Sequence, residues 1–453
     1  MANESAIDKK FLKNTGKLFG ASFIAQLIPF IILPFLTRIY SPEDFGFWAY
    51  FLSLSGLLSI IMTGNYEFAI VLQKDDKDAL ETASGSILTG IIIFLSALIF
   101  MPIYLDVVLS SAGIADKNYG YVILILIMAI CMGCYRIMNY WNNRKGRFNT
   151  TAQGNITRSV TSSAIQLVNG SLITRNYTGL VSGSVAGYFI GTIVQSKNFI
   201  KNFSKHRKEI NLKSIKENLI KYKDFPKYFM PSEFMNNLSS NVPVIFLTNM
   251  FGSAAAGFYS IPQKFINMPL SMLGSSISQV YYTKASDMKK KDKDISGITE
   301  EIYKKLFIIG IVPLSIISAY GDYIFSYFLG SKWGVSGLYA SVLAPWMLMV
   351  FASSPVSIIF ATLEKQKISL KLNFWLLMIR IASFLIGGLI FKSAFTAVFL
   401  FGASGFIYWL YLSFYIVSIA GGDRTDVIKF TLKRLTLIML PIILSRAVIE
   451  CIL

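Results

Sequence analysis

The feature that most limits what this chain can fold into is a succession of twelve apolar stretches. Each is about 20 residues long and so able to cross a ~30 Å hydrocarbon layer. They fall at residues 16–37, 44–64, 83–105, 119–141, 154–174, 178–197, 228–250, 257–282, 305–329, 336–362, 370–391 and 396–420. Between them no room remains for a soluble domain of any size. The 54% of hydrophobic residues, the 14% of aromatic residues and the mean hydropathy of +0.54 place the chain in the same class. No small-residue cleavage site follows the first stretch, which makes it a retained helix and not a signal peptide.

Lys and Arg number 43 against 25 Asp and Glu, a net charge of +18. Such an excess suggests nucleic acid until the charges are placed. When the connections are assigned alternately to the two sides of a membrane, 33 Lys and Arg fall on one side and 5 on the other, with 5 more inside the spans. This is a positive-inside bias. The excess is therefore topology, nucleic acid is not an expected partner, and both ends of the twelve-helix body are expected in the cytoplasm.

The first two spans are joined by Phe35 to Tyr50, FLTRIYSPEDFGFWAY. Ser41-Pro42-Glu43-Asp44 is a helix start: a Ser cap, Pro at the first helical position and two acids in the first turn. The two helices must form an antiparallel hairpin. The phrase returns 211 positions later as FLTNMFGSAAAGFYSI, Phe246 to Ile261, without a gap. This marks an internal duplication, with one copy at the hairpin that opens each half. The fold class expected is all-α integral membrane, with twelve transmembrane helices in two six-helix lobes. An even number of spans per repeat relates the lobes by a pseudo-two-fold axis along the membrane normal. Residues 1–222 form the first lobe with a basic cytoplasmic linker (Lys197 to Lys227), in which a surface helix is expected over Leu212 to Tyr222. Residues 223–434 form the second lobe. Residues 435–453 form a hydrophobic tail, interfacial or a thirteenth span; only eleven residues precede Arg446, which suits the interface better.

The opening residues also carry a resemblance. An apolar helix with Pro29 and Pro34, then LTRIYSPEDFG, then a helix ending GNYEFAIVLQKDD, resembles the start of a Wzx-type O-antigen/polysaccharide flippase. These form the polysaccharide transport branch of the multidrug/oligosaccharidyl-lipid/polysaccharide (MOP) exporter superfamily. Family members often carry Arg before Tyr-Glu, where this chain has Asn65. The resemblance implies a non-enzymatic flippase in the bacterial inner membrane, N-terminus cytoplasmic. It would move a polyprenyl-pyrophosphate-linked oligosaccharide, an O-antigen or capsule-like repeat unit, to the periplasmic face by alternating access. Membrane lipids, a polysaccharide polymerase and chain-length proteins are the partners it implies. No cofactor is expected beyond a proton or sodium gradient. The alternative in the same superfamily is a multidrug extruder of organic cations, which would show acids at depth.

The bases left inside the spans and the tail are Arg136, Arg158, Lys264, Arg380 and Arg446. A charge in hydrocarbon costs several kcal/mol and normally faces water or a partner, and no acidic set of matching depth is apparent. At 1.5 Å per residue Arg380 lies ~15 Å along its helix, near the midplane. Lys264 lies ~10 Å below the outer face, and Arg136 and Arg158 only ~7 Å from the cytoplasmic face, where they could snorkel. With Arg38 at the outer end of the first helix, these line an expected cationic lumen for an anionic substrate, arginine being suited to phosphate oxygens. Span 228–250 opens with a polar face, Glu233, Asn236, Asn237 and Ser240, with Asn241 beside it. Asn237 aligns with Gln26 in the duplication. The sharp reading is a wet cavity for sugar hydroxyls; interhelical amide bonding is the bland one. Glu67 and Glu233 are the acids placed for ion coupling.

Other features carry less. GxxxxGK[ST] is missing, so the chain is not itself an ATPase. The single histidine, His206, falls in a loop, and no metal site is expected. Cys131 and Cys134 in an apolar helix read as packing. So does the stripe Gly179, Gly183, Gly187 and Gly191. Prolines within spans, Pro355 among them, read either as flexing points or as static kinks.

Overall fold

The computed structural model describes residues 23–73, 75–112, 119–363 and 365–452. The start of the first expected span (16–22) and Lys117 lie outside the described residues. Among the described residues the chain is helical and contains no strand. Phe23–Ile39 (α1) and Pro42–Thr63 (α2) form the opening hairpin. The cap forms as the sequence requires: the Asp44 backbone N–H donates to Ser41 Oγ at 3.2 Å, and the Asp44 carboxylate accepts from Ser41 N at 2.9 Å. Then come α3 (Glu67–Leu72), α4 (Asp76–Ala112), α5 (Tyr119–Arg144), α6 (Phe148–Val168), α7 (Tyr177–His206), the surface helix α8 (Leu212–Lys221) and α9 (Met230–Phe251). The second part contains α10 (Ser253–Lys290), α11 (Ser296–Leu329), α12 (Gly334–Ser353), α13 (Ile359–Thr362), α14 (Gln366–Leu385), α15 (Ala394–Ile419), α16 (Arg424–Arg434) and α17 (Leu440–Ile452).

Among the described residues eight helices are long and apolar enough to cross a membrane: α2, α4, α5, α7, α11, α12, α14 and α15. Of the others expected to span, α1 is apolar but only 17 residues long over its described part, and α6, α9 and α10 are more polar. On α6 the polarity faces its neighbour, where Gln166 Nε2 donates to the Leu180 carbonyl at 3.0 Å. One expected span is broken. The stretch 336–362 ends at Ser353 and resumes as α13, with a turn over 354–358 around Pro355. Proline has no N–H for the ladder and its ring opposes the preceding carbonyl, so the helix stops there.

The chain divides into two compact units, Met1–Ala256 and Gly257–Leu453. The division falls later than the expected 222/223, because α9 packs along α2 within the first unit. Both copies of the repeated phrase straddle a helix–helix turn, at Ser41 and at Gly252, the latter with φ +88°. They also meet. A Cβ on Gly46 would lie 1.7 Å from the Ser253 carbonyl oxygen, so only glycine fits there.

In the first unit α2 packs against α5, α4 and α7. The α6–α7 pair closes over the glycine stripe: a Cβ on Gly187 would lie 2.7 Å from the Arg158 carbonyl oxygen. That is the packing role read from the sequence. Tyr40 Oη donates to the Gln166 carbonyl at 2.7 Å and Trp48 Nε1 to Ser184 Oγ at 2.7 Å. In the second unit α11 and α12 form a close hairpin and α12 lies on α15. The tail continues from α16 into α17 and runs parallel with α11. Thr431 meets Tyr303 (2.9 Å), Ser445 meets Tyr320 (2.6 Å) and Arg446 meets Asp322 (2.7 Å). Thr431 to Arg446 is a rise of ~22 Å alongside a membrane-length helix.

Candidate functional site

The buried bases divide by partner. Arg136 on α5 is ion-paired with Glu67, a fully buried carboxylate on α3, and its Nη2 donates to Asn65 Oδ1 at 3.0 Å. Asn65 follows Gly64 in the left-handed region, both at φ +57°, a conformation that Asn tolerates. A guanidinium thus reaches this turn although position 65 carries none. Arg446 is bidentate to Asp322, at 2.8 and 2.7 Å. These pairs correct the expectation that no acid matches the buried bases. Each acid lies far along the chain from its base, and only packing brings them together. Arg158 on α6 lies over two rings, 5.3 Å from Tyr135 and 4.8 Å from Tyr188.

Glu67 lies in the connection between α2 and α4, outside the membrane-length helices. Burial holds its carboxyl above the usual glutamate range, against the downward pull of Arg136, and Glu233 on α9 adds a like charge close by. The two acids singled out for ion coupling are therefore neighbours. The rest of the α9 polar face is bonded along its own helix. Asn237 Nδ2 donates to Glu233 Oε1 (2.9 Å), Ser240 Oγ to the Asn236 carbonyl (3.2 Å) and Asn241 Nδ2 to the Asn237 carbonyl (2.8 Å). Asn236 and Ser240 are exposed, as are Gln26 and Arg38 on α1.

In the second unit Arg380 meets aromatic rings. Arg380 on α14 lies 5.8 Å from the centre of the Phe401 ring, with Tyr259 and Tyr408 as electrostatic neighbours. Phe401 is the hub of a nest formed with Trp346 (4.9 Å), Phe384 (5.3 Å) and Tyr259 (6.1 Å). Lys264 on α10 has its ammonium enclosed.

A set of polar residues that the sequence reading passed over lines neighbouring cavities of 280, 110 and 400 Å³ in the second unit. Their walls share Ser278, Ser354, Ser357, Ser369 and Asn373, drawn from α10, the Pro355 break and α14. Single serines and asparagines in apolar spans give little signal alone. Spacing along two helices and the proline break were the signs available.

Over residues 35–337 the sequence matches the family described as polysaccharide biosynthesis protein. The chain belongs to that family. It is 23% identical to the capsular polysaccharide biosynthesis protein CapF of Staphylococcus aureus over 403 residues, 83% of this chain and 92% of that protein. The fold matches the lipid II flippase MurJ in an inward closed conformation, with a TM-score of 0.70 at 15% identity over 97% of this chain and 98% of that one. It also matches a multidrug resistance MATE family transporter of the MOP superfamily, with a TM-score of 0.65 at 13% identity over 89% and 95%. The family and the fold agree with the resemblance carried by the opening residues. This is a multi-pass membrane protein of polysaccharide biosynthesis with the fold of the MOP flippases.

Proposed function

We propose that this polysaccharide biosynthesis protein flips a polyprenyl-pyrophosphate-linked oligosaccharide from the cytoplasmic to the outer face of a bacterial inner membrane. The observation that carries the reading is Arg380. It sits halfway along a membrane-length helix, stacked on an aromatic nest, with a second enclosed base, Lys264, on α10 of the same unit. A guanidinium so placed is suited to phosphate oxygens, which it can bind through two N–H groups. The capsular relative supports a glycan cargo and the lipid II flippase supports a lipid-linked one. The charge bias supports a cytoplasmic N-terminus. Coupling to a proton gradient falls to Glu67: protonating it releases Arg136 from their pair, and this links proton binding to a rearrangement of α3 and α5.

The test measures surface glycan beside membrane protein level in cells lacking the native gene. Arg380→Ala should abolish export at normal abundance. Arg380→Lys should keep part of it, because the charge survives and the two-pronged geometry does not. Normal glycan with Arg380→Ala at normal abundance would sink the reading.

A further inference from the structure

The cavities between α10, the Pro355 break and α14 lie along two helix faces that also carry Lys264 and Arg380. On α14, Ser369, Asn373, Leu376 and Arg380 are spaced by four, three and four, and so share one face over ~16 Å. On α10, Lys264, Asn267, Ser271, Gly274 and Ser278 are spaced by three, four, three and four, one face over ~21 Å. The two helices run in opposite directions. Ser278 lines a cavity with Ser369 and Asn373, while Tyr259, at the other end of that α10 stretch, neighbours Arg380. Both bases therefore stand at the same end, with amides and hydroxyls along the remaining length.

The lining chemistry is specific in kind. Beside the hydroxyls and amides stand Phe351, Pro355 and Phe360, and among the described residues no charged side chain lines these three cavities. Trp409 lines one of them, its indole N–H enclosed and without a hydrogen-bond partner. Neutral groups that both donate and accept, set among aromatic rings, match sugar hydroxyls and the apolar faces of sugar rings. The helix break puts irregular backbone beside the cavity, where a membrane protein tolerates it.

We infer that this groove holds the uncharged sugars of the lipid-linked oligosaccharide nearest its pyrophosphate, with the phosphates at the Lys264 and Arg380 end. The inference rests on the flippase reading and assigns the glycan its own subsite.

The experiment uses the purified full-length protein in nanodiscs and two probes. One is polyprenyl pyrophosphate without sugar; the other is the lipid-linked oligosaccharide fraction extracted from the native cells. Asn373→Ala should weaken binding of the glycan-bearing lipid about tenfold, the effect of one lost hydrogen bond with its partner left unmatched. It should leave the bare lipid unchanged, and Ser369→Ala should do the same more weakly. Arg380→Ala should weaken both lipids. Equal weakening of both lipids by Asn373→Ala, or of neither, overturns the groove assignment while the flippase reading stands. If the unmodified protein binds neither lipid, the flippase reading fails and the subsite with it. Thermal unfolding of each variant separates a lost contact from a damaged fold, and a destabilised Asn373→Ala leaves the decision to Ser369→Ala.

Discussion

The two units treat a buried base differently. In Met1–Ala256, Arg136 meets the carboxylate of Glu67 and Arg158 is enclosed by two tyrosines beside a glycine stripe. In Gly257–Leu453, Arg380 stacks on Phe401 beside a groove of serines and asparagines. The bases of the first unit thus tie helices together, whereas Arg380 is the one proposed above to hold a ligand. The paired Arg446 shows that the contrast belongs to each site and not to the unit as a whole, since Asp322 binds it towards the C-terminal end of α11.

The largest expected effect that separates the two treatments is on protein level. Arg136→Ala leaves the buried Glu67 carboxylate unmatched, at a cost of about 3–5 kcal/mol. Immunoblots of membranes should show much less of this variant, while Arg380→Ala is present at normal level. The double change Arg136→Ala with Glu67→Gln should restore abundance by removing the stranded charge. A stable Arg136→Ala beside an unstable Arg380→Ala would reverse the comparison.

Next in size is the stripe that encloses Arg158. Gly187→Leu drives a side chain into the Arg158 carbonyl and should cost about 1–3 kcal/mol by overpacking. A lower thermal midpoint in detergent is the readout, and an unchanged midpoint would mean that the α6–α7 contact is looser than the structure shows.

A smaller effect concerns pH. The carboxyl of Glu67 is held above its usual value of 4.5, chiefly by burial, so the folded protein binds this proton more tightly than the unfolded chain does. Its contribution to stability is full below that ordinary value and is lost as pH rises through the raised one. Thermal midpoints followed between these limits should fall with rising pH, and Glu67→Gln should flatten that part of the profile. An unaltered profile would remove Glu67 from the coupling assignment.

The smallest functional effect is expected from a topological probe. With the native cysteines replaced, Val448→Cys should label with an impermeant thiol reagent in intact cells, and Thr425→Cys only after permeabilisation. Labelling of both from one side would show that the tail does not span, despite its course along α11.

The membrane class, the opening hairpin and its duplicate were legible in the sequence because they depend on local quantities. Apolar length decides whether a segment can cross hydrocarbon, and Ser41-Pro42-Glu43-Asp44 caps α2 through atoms three residues apart. The glycine stripe belongs here too, since a period of four on α7 already implies a close neighbour. What only the tertiary structure decided was which charges meet. Arg136 and Glu67, like Arg446 and Asp322, lie on different helices, and no spacing rule links them. The same holds for the groove. Ser278, Ser357 and Asn373 are single polar residues in apolar surroundings, and they form one lining only because α10, the Pro355 break and α14 converge. Periodicity fixes which face of a helix a residue occupies; what that face meets is set by the packing of helices distant in sequence.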